Sequence, residues 1–128
     1  MAIQGMNHFT VLASDLDATL AFYAGLLGLR QGPRPPFDFP GAWLYCGDTA
    51  VLHVIAGRAL PASPAGVIDH MAFSAHDLAQ TVATLTRHQI RYDLRRLPGE
   101  GTWQLFFNDP DGAKVELDFD ASEPAPSP

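Results

Sequence analysis

Hydrophobic and polar residues alternate with a period of two along residues 7–13 and again along residues 68–75, the pattern of strands with one covered face. After each, apolar residues recur at helical spacing. Leu16, Leu20, Tyr23 and Leu27 make the first stripe, with Ser14 and Asp17 arranged as a capping box at its start and Gly28 at its end. Leu78, Val82 and Leu85 make the second, where Asp77 puts negative charge at the helix start and the stretch from His88 to Tyr92 ends it. Three short strands are expected after each helix, over residues 29–32, 42–46 and 50–56 in the first half and 91–97, 102–107 and 113–119 in the second. Turn sequences separate them: GDT at Gly47, PGEG at Pro98 and DPDG at Asp109, whose Gly112 permits a positive φ.

The order βαβββ thus occurs twice, and the residues repeat with it. HFTVLASDLDATLAFY at His8 returns as HMAFSAHDLAQTVATL at His70, 62 positions on, and AVLHV around His53 returns as AKVEL around Glu116, 63 positions on. An α+β fold is expected, of two paired βαβββ modules at residues 6–56 and 67–119 with a linker at 57–66. The modules are expected to form a partly open, cup-shaped sheet with the helices outside, within one domain of residues 1–122. Residues 123–128 read as a frayed, disordered polar tail. Alternation in AKVELDF puts Val115, Leu117 and Phe119 on the core face and Glu116 on the other; the same logic puts His8 and His70 in the cup. VLHVI is apolar on both faces, so the facing of His53 rests on its match to Glu116.

Composition narrows the chemistry. A chain of 128 residues fits one domain, and its formal charge of -6 with only 8 Lys plus Arg gives no basic stripe for nucleic acid. No apolar run approaches the ~20 residues of a membrane span, and the start has no secretory pattern, so a cytoplasmic protein is expected. Cys46 is the only cysteine, which excludes an internal disulfide and leaves nitrogen and oxygen as donors for any metal. His8, His53, His70 and Glu116 are donors of that kind at repeat-related positions. Trp43, Tyr45, Gln104 and Phe106 alternate on strands that should line the cup and are candidate substrate-binding residues; Gln104 needs a polar partner if buried. Arg30, Arg34, Arg95 and Arg96 sit next to loops, either solvated or available to a carboxylate.

The paired modules, a histidine on the first strand of each, the segment DLDATLAFYAGLLGL and the ending FFNDPDGAKVELDF resemble the vicinal oxygen chelate superfamily. That group includes glyoxalase I, methylmalonyl-CoA epimerase, fosfomycin-resistance transferases, extradiol dioxygenases and bleomycin-resistance proteins. The resemblance runs from about Met6 to Phe119. It implies that His8, His70 and Glu116 hold one divalent metal ion, Zn, Ni, Mn or Fe, with positions left open for substrate. His53, at a place where relatives differ, is implied as a further ligand or as a catalytic acid/base beside Glu116. The implied function is a metal-dependent lyase or isomerase of the glyoxalase type, which chelates vicinal oxygens of a small substrate and stabilises an enediolate-like intermediate. An Fe(II) extradiol-type dioxygenase is the alternative, against which Phe106 stands where the resemblance places a tyrosine. A non-catalytic small-molecule binding or resistance protein is the third reading. No clear counterpart of the cation-binding loop of the fosfomycin transferases is found. The resemblance also implies a homodimer.

Overall fold

The structure, a computed structural model, describes residues 2–127. It divides into two compact units between Ala62 and Ser63, inside the proline-bearing linker. Each unit is a four-stranded mixed sheet with helix, as the alternation implied. In the first unit, β1 (Phe9–Ala13), β2 (Arg30–Gly32), β3 (Gly41–Cys46) and β4 (Thr49–Ala56) lie in the order β1-β4-β3-β2. In the second, β5 (Met71–Ser74), β6 (Tyr92–Arg96), β7 (Trp103–Asn108) and β8 (Lys114–Phe119) lie in the order β5-β8-β7-β6. In both, the first strand runs parallel to the last and the other pairs are antiparallel. The parallel pair needs a crossover, which the helix supplies.

The sequence repeat survives as hydrogen-bond register. Thr10 pairs with His53, which pairs with Trp43; in the second unit Ala72 pairs with Glu116, which pairs with Phe106. Alternation then fixes the faces. Val11, Ala13, Ala42, Leu44, Leu52, Val54 and Ala56 are buried on one side of the first sheet, so His53, on the opposite phase of β4, shares the other side with Thr10 and Trp43. The second sheet buries Met71, Leu105, Phe107, Val115, Leu117 and Phe119 on its core side.

The two helices differ from each other. In α2 (Leu78–Arg87) the buried residues are Leu78, Val82 and Leu85, the expected stripe. In α1 (Leu16–Leu20) the cap is Asp15, whose Oδ1 accepts the Ala18 N–H at 3.1 Å, not the expected pair Ser14 and Asp17. The α-helix also stops at Leu20 and continues as a π-helical segment, Ala21–Leu26. The wider turn, with the Leu27 N–H donating to Phe22 O at 3.1 Å, rotates the face beyond it. Of the expected stripe Tyr23 is buried, with Thr19 and Phe22 beside it, while Leu16, Leu20 and Leu27 are only half-buried, and the Phe22 and Tyr23 rings meet edge to face at 4.9 Å.

The segment expected to fray from Glu123 is tied down at that residue. Its carboxylate accepts the N–H groups of Asp77 at 3.2 Å and Leu78 at 2.6 Å, and its carbonyl accepts the Trp103 indole N–H at 2.9 Å. Asp77 sits at the cap position in a left-handed conformation without a side-chain cap bond, so Glu123 does that work from 46 residues away. Glu123→Ala is expected to cost about 1 kcal/mol, read as a lower denaturant midpoint. The DPDG turn is built as its residues suggested: Asp109 Oδ1 accepts the N–H groups of Asp111 and Ala113, both at 2.9 Å, and Gly112 has φ +96°. Among the described residues no helix is long and apolar enough to cross a membrane.

Candidate functional site

The candidate ligands gather as one pair in each unit. Among the described residues, no three His, Cys, Asp or Glu side chains group to hold a metal ion. In the second unit, β8 presents Glu116 between β5 and β7, and His70 stands at the entry to β5. His70 Nε2 lies 2.9 Å from Glu116 Oε1. Gln104 Nε2 donates to the other carboxylate oxygen at 3.3 Å, which supplies the partner that a half-buried amide in TWQLFF required. The Phe106 ring meets His70 edge-on, with centroids 5.7 Å apart, and carries the Arg95 guanidinium over one face at 4.5 Å.

The tautomer of His70 is set by its neighbour. Asp69 Oδ2 lies 2.8 Å from His70 Nδ1; a carboxylate only accepts, so Nδ1 carries hydrogen. Hydrogen bonds from His70 and Lys114, and the charge of Lys114, hold the Asp69 carboxyl below the usual aspartate range, so it stays ionised for this task. With Nδ1 so committed, it is Nε2 that His70 turns toward the Glu116 carboxylate, and in the neutral ring that atom carries the lone pair. Two acceptors 2.9 Å apart repel unless a proton or a cation joins them. Two donors each ~2.1 Å from a metal ion and at right angles are about 3 Å apart, so the pair fits a divalent ion as the pattern of ligand types requires. Asp69→Asn is expected to weaken divalent-metal affinity about tenfold, measured by competition with a chromophoric chelator.

The first unit repeats this arrangement with other chemistry. Asn7 Oδ1 lies 2.6 Å from His8 Nδ1; an amide oxygen also only accepts, so here too Nδ1 carries hydrogen and Nε2 the lone pair. Asn7 and Asp69 stand at the same 62-residue offset as the histidines they orient, a pair of supporting residues that sequence reading passed over although the repeat itself marked them. His53 does not approach His8 as a second ligand would. Its ring is stacked on His8 at 3.7 Å and 15° and on Trp43 at 4.0 Å and 10°, so it is sandwiched between them. Ring lone pairs lie in the ring plane, and stacked rings point them along parallel lines instead of toward one ion. Burial and, after it, the nearby His8 push the His53 pKa down, partly opposed by a backbone hydrogen bond at Ala50, which favours the neutral imidazole.

Tyr45 turns elsewhere: its hydroxyl donates to Pro33 O at 2.5 Å, and Arg30 lies over its ring at 5.3 Å, so this candidate wall residue braces the chain leaving β2. Asp118 was not foreseen. It lies two residues beyond Glu116 on the same face of β8, with Oδ1 buried and without a hydrogen-bond partner among the described residues. Burial first, then a hydrogen bond and the charge of Glu116, push its pKa up to about 6, partly opposed by His70. Its folded pKa exceeds that of an ordinary aspartate, so the folded state holds this proton more tightly. The associated stability is present at low pH and is lost as pH rises from about 4 through about 6. Asp118→Asn is expected to flatten that part of the profile in thermal melts collected between pH 4 and 7.

Two half-sheets of βαβββ order, with a histidine entering each and a carboxylate on the last strand, define a class. Residues 5–117 match the Glyoxalase/Bleomycin resistance protein/Dioxygenase superfamily, and the chain belongs to that family. It is 32% identical over 124 residues to Glyoxylase I 4 of Arabidopsis thaliana, covering 90% of this chain and 70% of that protein. It is 31% identical over 117 residues to the glutathione transferase FosA of Serratia marcescens, covering 90% and 80%. The crystal structure of lactoylglutathione lyase from Agrobacterium tumefaciens superposes with a TM-score of 0.67 at 24% identity, over 93% of this chain and 96% of that one; at that identity the likeness concerns the fold.

Proposed function

We propose that the protein is a metal-dependent lyase or isomerase of the glyoxalase type acting on a small molecule with two neighbouring oxygens, with His8, His70 and Glu116 as metal ligands. The observation that carries this reading is the facing of His70 Nε2 and Glu116 Oε1 across 2.9 Å, with Nδ1 already committed to Asp69. Held by these residues, a divalent ion would supply Lewis acidity to the paired oxygens and lower the cost of negative charge developing on them. Asn7 and Asp69 orient the two imidazoles, while Gln104 holds the Glu116 carboxylate in place. His53, neutral and stacked, offers a nitrogen to take a proton from the substrate carbon, and Glu116 is the second group able to receive it.

The dioxygenase reading has less support, because Phe106, paired in register with Glu116, offers no hydroxyl for proton transfer. Glutathione stands in the names of both FosA and the lactoylglutathione lyase, so thiol adducts head the substrate panel.

The test is metal analysis of protein isolated without chelators, followed by assays with glutathione hemithioacetals, acyl-CoA thioesters, catechols, and glutathione with an epoxide. About one divalent ion per chain and isomerisation of a hemithioacetal are the expected results. Retention of the metal by the double variant His8→Ala, Glu116→Ala would refute the ligand assignment. A homodimer is also proposed; sedimentation showing only monomer at micromolar concentration would reject it.

A further inference from the structure

We infer that the segment from Pro33 to Trp43 in the first unit forms a recognition slot for one aromatic ring bearing an anionic oxygen group, the ring-bearing end of the substrate. This rests on the reading of the His53 face as the substrate face. The two sheets, otherwise matched in register, differ at this point. β6 and β7 stay paired as far as Arg96 and Trp103, whereas β2 and β3 part after Gly32 and Trp43. The cause is written in the chain: Pro33, Pro35 and Pro36 have no N–H to continue a ladder, so the chain leaves the sheet. Pro40 closes the detour, and the fixed φ angles of four prolines stiffen it.

That detour borders a partly open cavity of about 120 Å³ lined by Thr10, Arg34, Phe37, Phe39, Trp43 and His53, together with neighbours of His53 on β4. Its size is near that of cavities known to take a benzene ring, about 150 Å³. Its walls are ring faces. Phe37 and Phe39 stack at 4.9 Å, and Phe37 lies 6.5 Å from Trp43, tilted by 50°. Such faces favour a planar, aromatic guest.

Arg34 sets the charge. Its guanidinium lies 5.4 Å from the Phe37 ring centre and 5.3 Å from that of Phe39. It donates to Phe39 O at 2.7 Å and Gly41 O at 3.4 Å, leaving three of its five N–H donors uncommitted. The chain has 14 acidic residues to 8 basic ones, yet among the described residues none of the acids pairs with Arg34. A half-buried cation without a counterion beside an aromatic slot selects an anionic oxygen.

Gly41 lets β3 lie close against β4 beside the slot. A Cβ there would run into Val54 O and lie 3.5 Å from the Arg34 guanidinium. The corresponding residue of the second unit, across from Asp118 as Gly41 is across from Ile55, is Gln104, whose side chain turns to Glu116. Position for position, one unit has no side chain where the other has a carboxylate partner.

The test uses the full-length, metal-stripped protein, titrated with benzoate, benzyl alcohol, cyclohexanecarboxylate and acetate and followed by amide and indole NMR shifts. Benzoate is expected to bind about tenfold more tightly than acetate or cyclohexanecarboxylate, with shifts confined to Thr10, the Arg34–Trp43 segment and His53. Arg34→Gln is expected to remove about tenfold from benzoate affinity while leaving benzyl alcohol within about twofold; Arg34→Lys, which keeps the charge, retains most of the benzoate affinity. Equal binding of benzoate and acetate overturns the inference. So does an equal loss of benzoate and benzyl alcohol in Arg34→Gln, which would make Arg34 a brace for the loop. Because no metal is present, failure of the metal assignment leaves this outcome unchanged, and failure here leaves the metal analysis unchanged.

Discussion

Glu116→Ala is expected to lower divalent-metal affinity by more than about 100-fold, since loss of residues that merely support a ligand already costs about 10- to 100-fold. Hemithioacetal turnover should disappear with the metal. The same change is not expected to destabilise the metal-free protein. Glu116 is buried, and after burial its hydrogen bond and charge help to push Asp118 up to about 6. Removing it releases Asp118 from that charge, at the expense of the hydrogen bonds with Gln104 and Asp118 and of the His70 contact. A thermal midpoint in chelator equal to or above that of the parent, together with loss of bound metal, is the expected pair of results. Both arise when charge is gathered for function against the interest of the fold. Wild-type metal affinity in Glu116→Ala would show that the ion, if bound, is held elsewhere.

Leu52→Ala is the second large effect, and it concerns stability. Leu52 is fully buried on β4, pairing on one side with Phe9 and on the other with Leu44. The strand is central to its sheet, so its neighbours are held by pairing on both sides and cannot collapse freely into the space left behind. A cost of about 2–5 kcal/mol is expected, a large part of the ~5–15 kcal/mol that holds a typical domain. Denaturant midpoints measure it. Val67→Ala, at an exposed apolar side chain, serves as the control and should stay within about 0.5 kcal/mol of the parent. A Leu52→Ala midpoint equal to the control would mean that β4 does not carry the core.

Most of the fold was legible because strands report themselves locally. Period-two alternation at β1, β5 and β8 named both the elements and their faces, and the repeat tied one half to the other. His53 shows where local pattern stops: VLHVI is apolar on both faces, and only pairing with Thr10 and Trp43 orients it. Its stacking between His8 and Trp43 joins residues from three places in the chain, for which no short pattern exists. The π-helical turn after Leu20 was hidden for a different reason, since its sequence is as compatible with an α-helix and the burial of Phe22 beside Tyr23 decides the matter. Glu123 capping α2 is a contact across 46 residues. Of the supporting residues, Asn7 and Asp69 were readable in principle from their place in the repeat. Phe37 and Phe39 were readable in part, as aromatic residues in a proline-rich run ahead of a glycine.

The unmatched pairing of β2 with β3 has a consequence for descent. A duplicated module begins with two equal copies, and each is constrained while both must do the same work. Here the prolines that end one ladder early leave the other ladder, with its histidine and carboxylate, untouched. Residues 33–41 can therefore drift, lengthen or exchange side chains without disturbing that chemistry, since loop length adds little to the entropy of closure. Selection acting on that stretch alone is able to produce paralogues that differ in what they accept and agree in what they do to it.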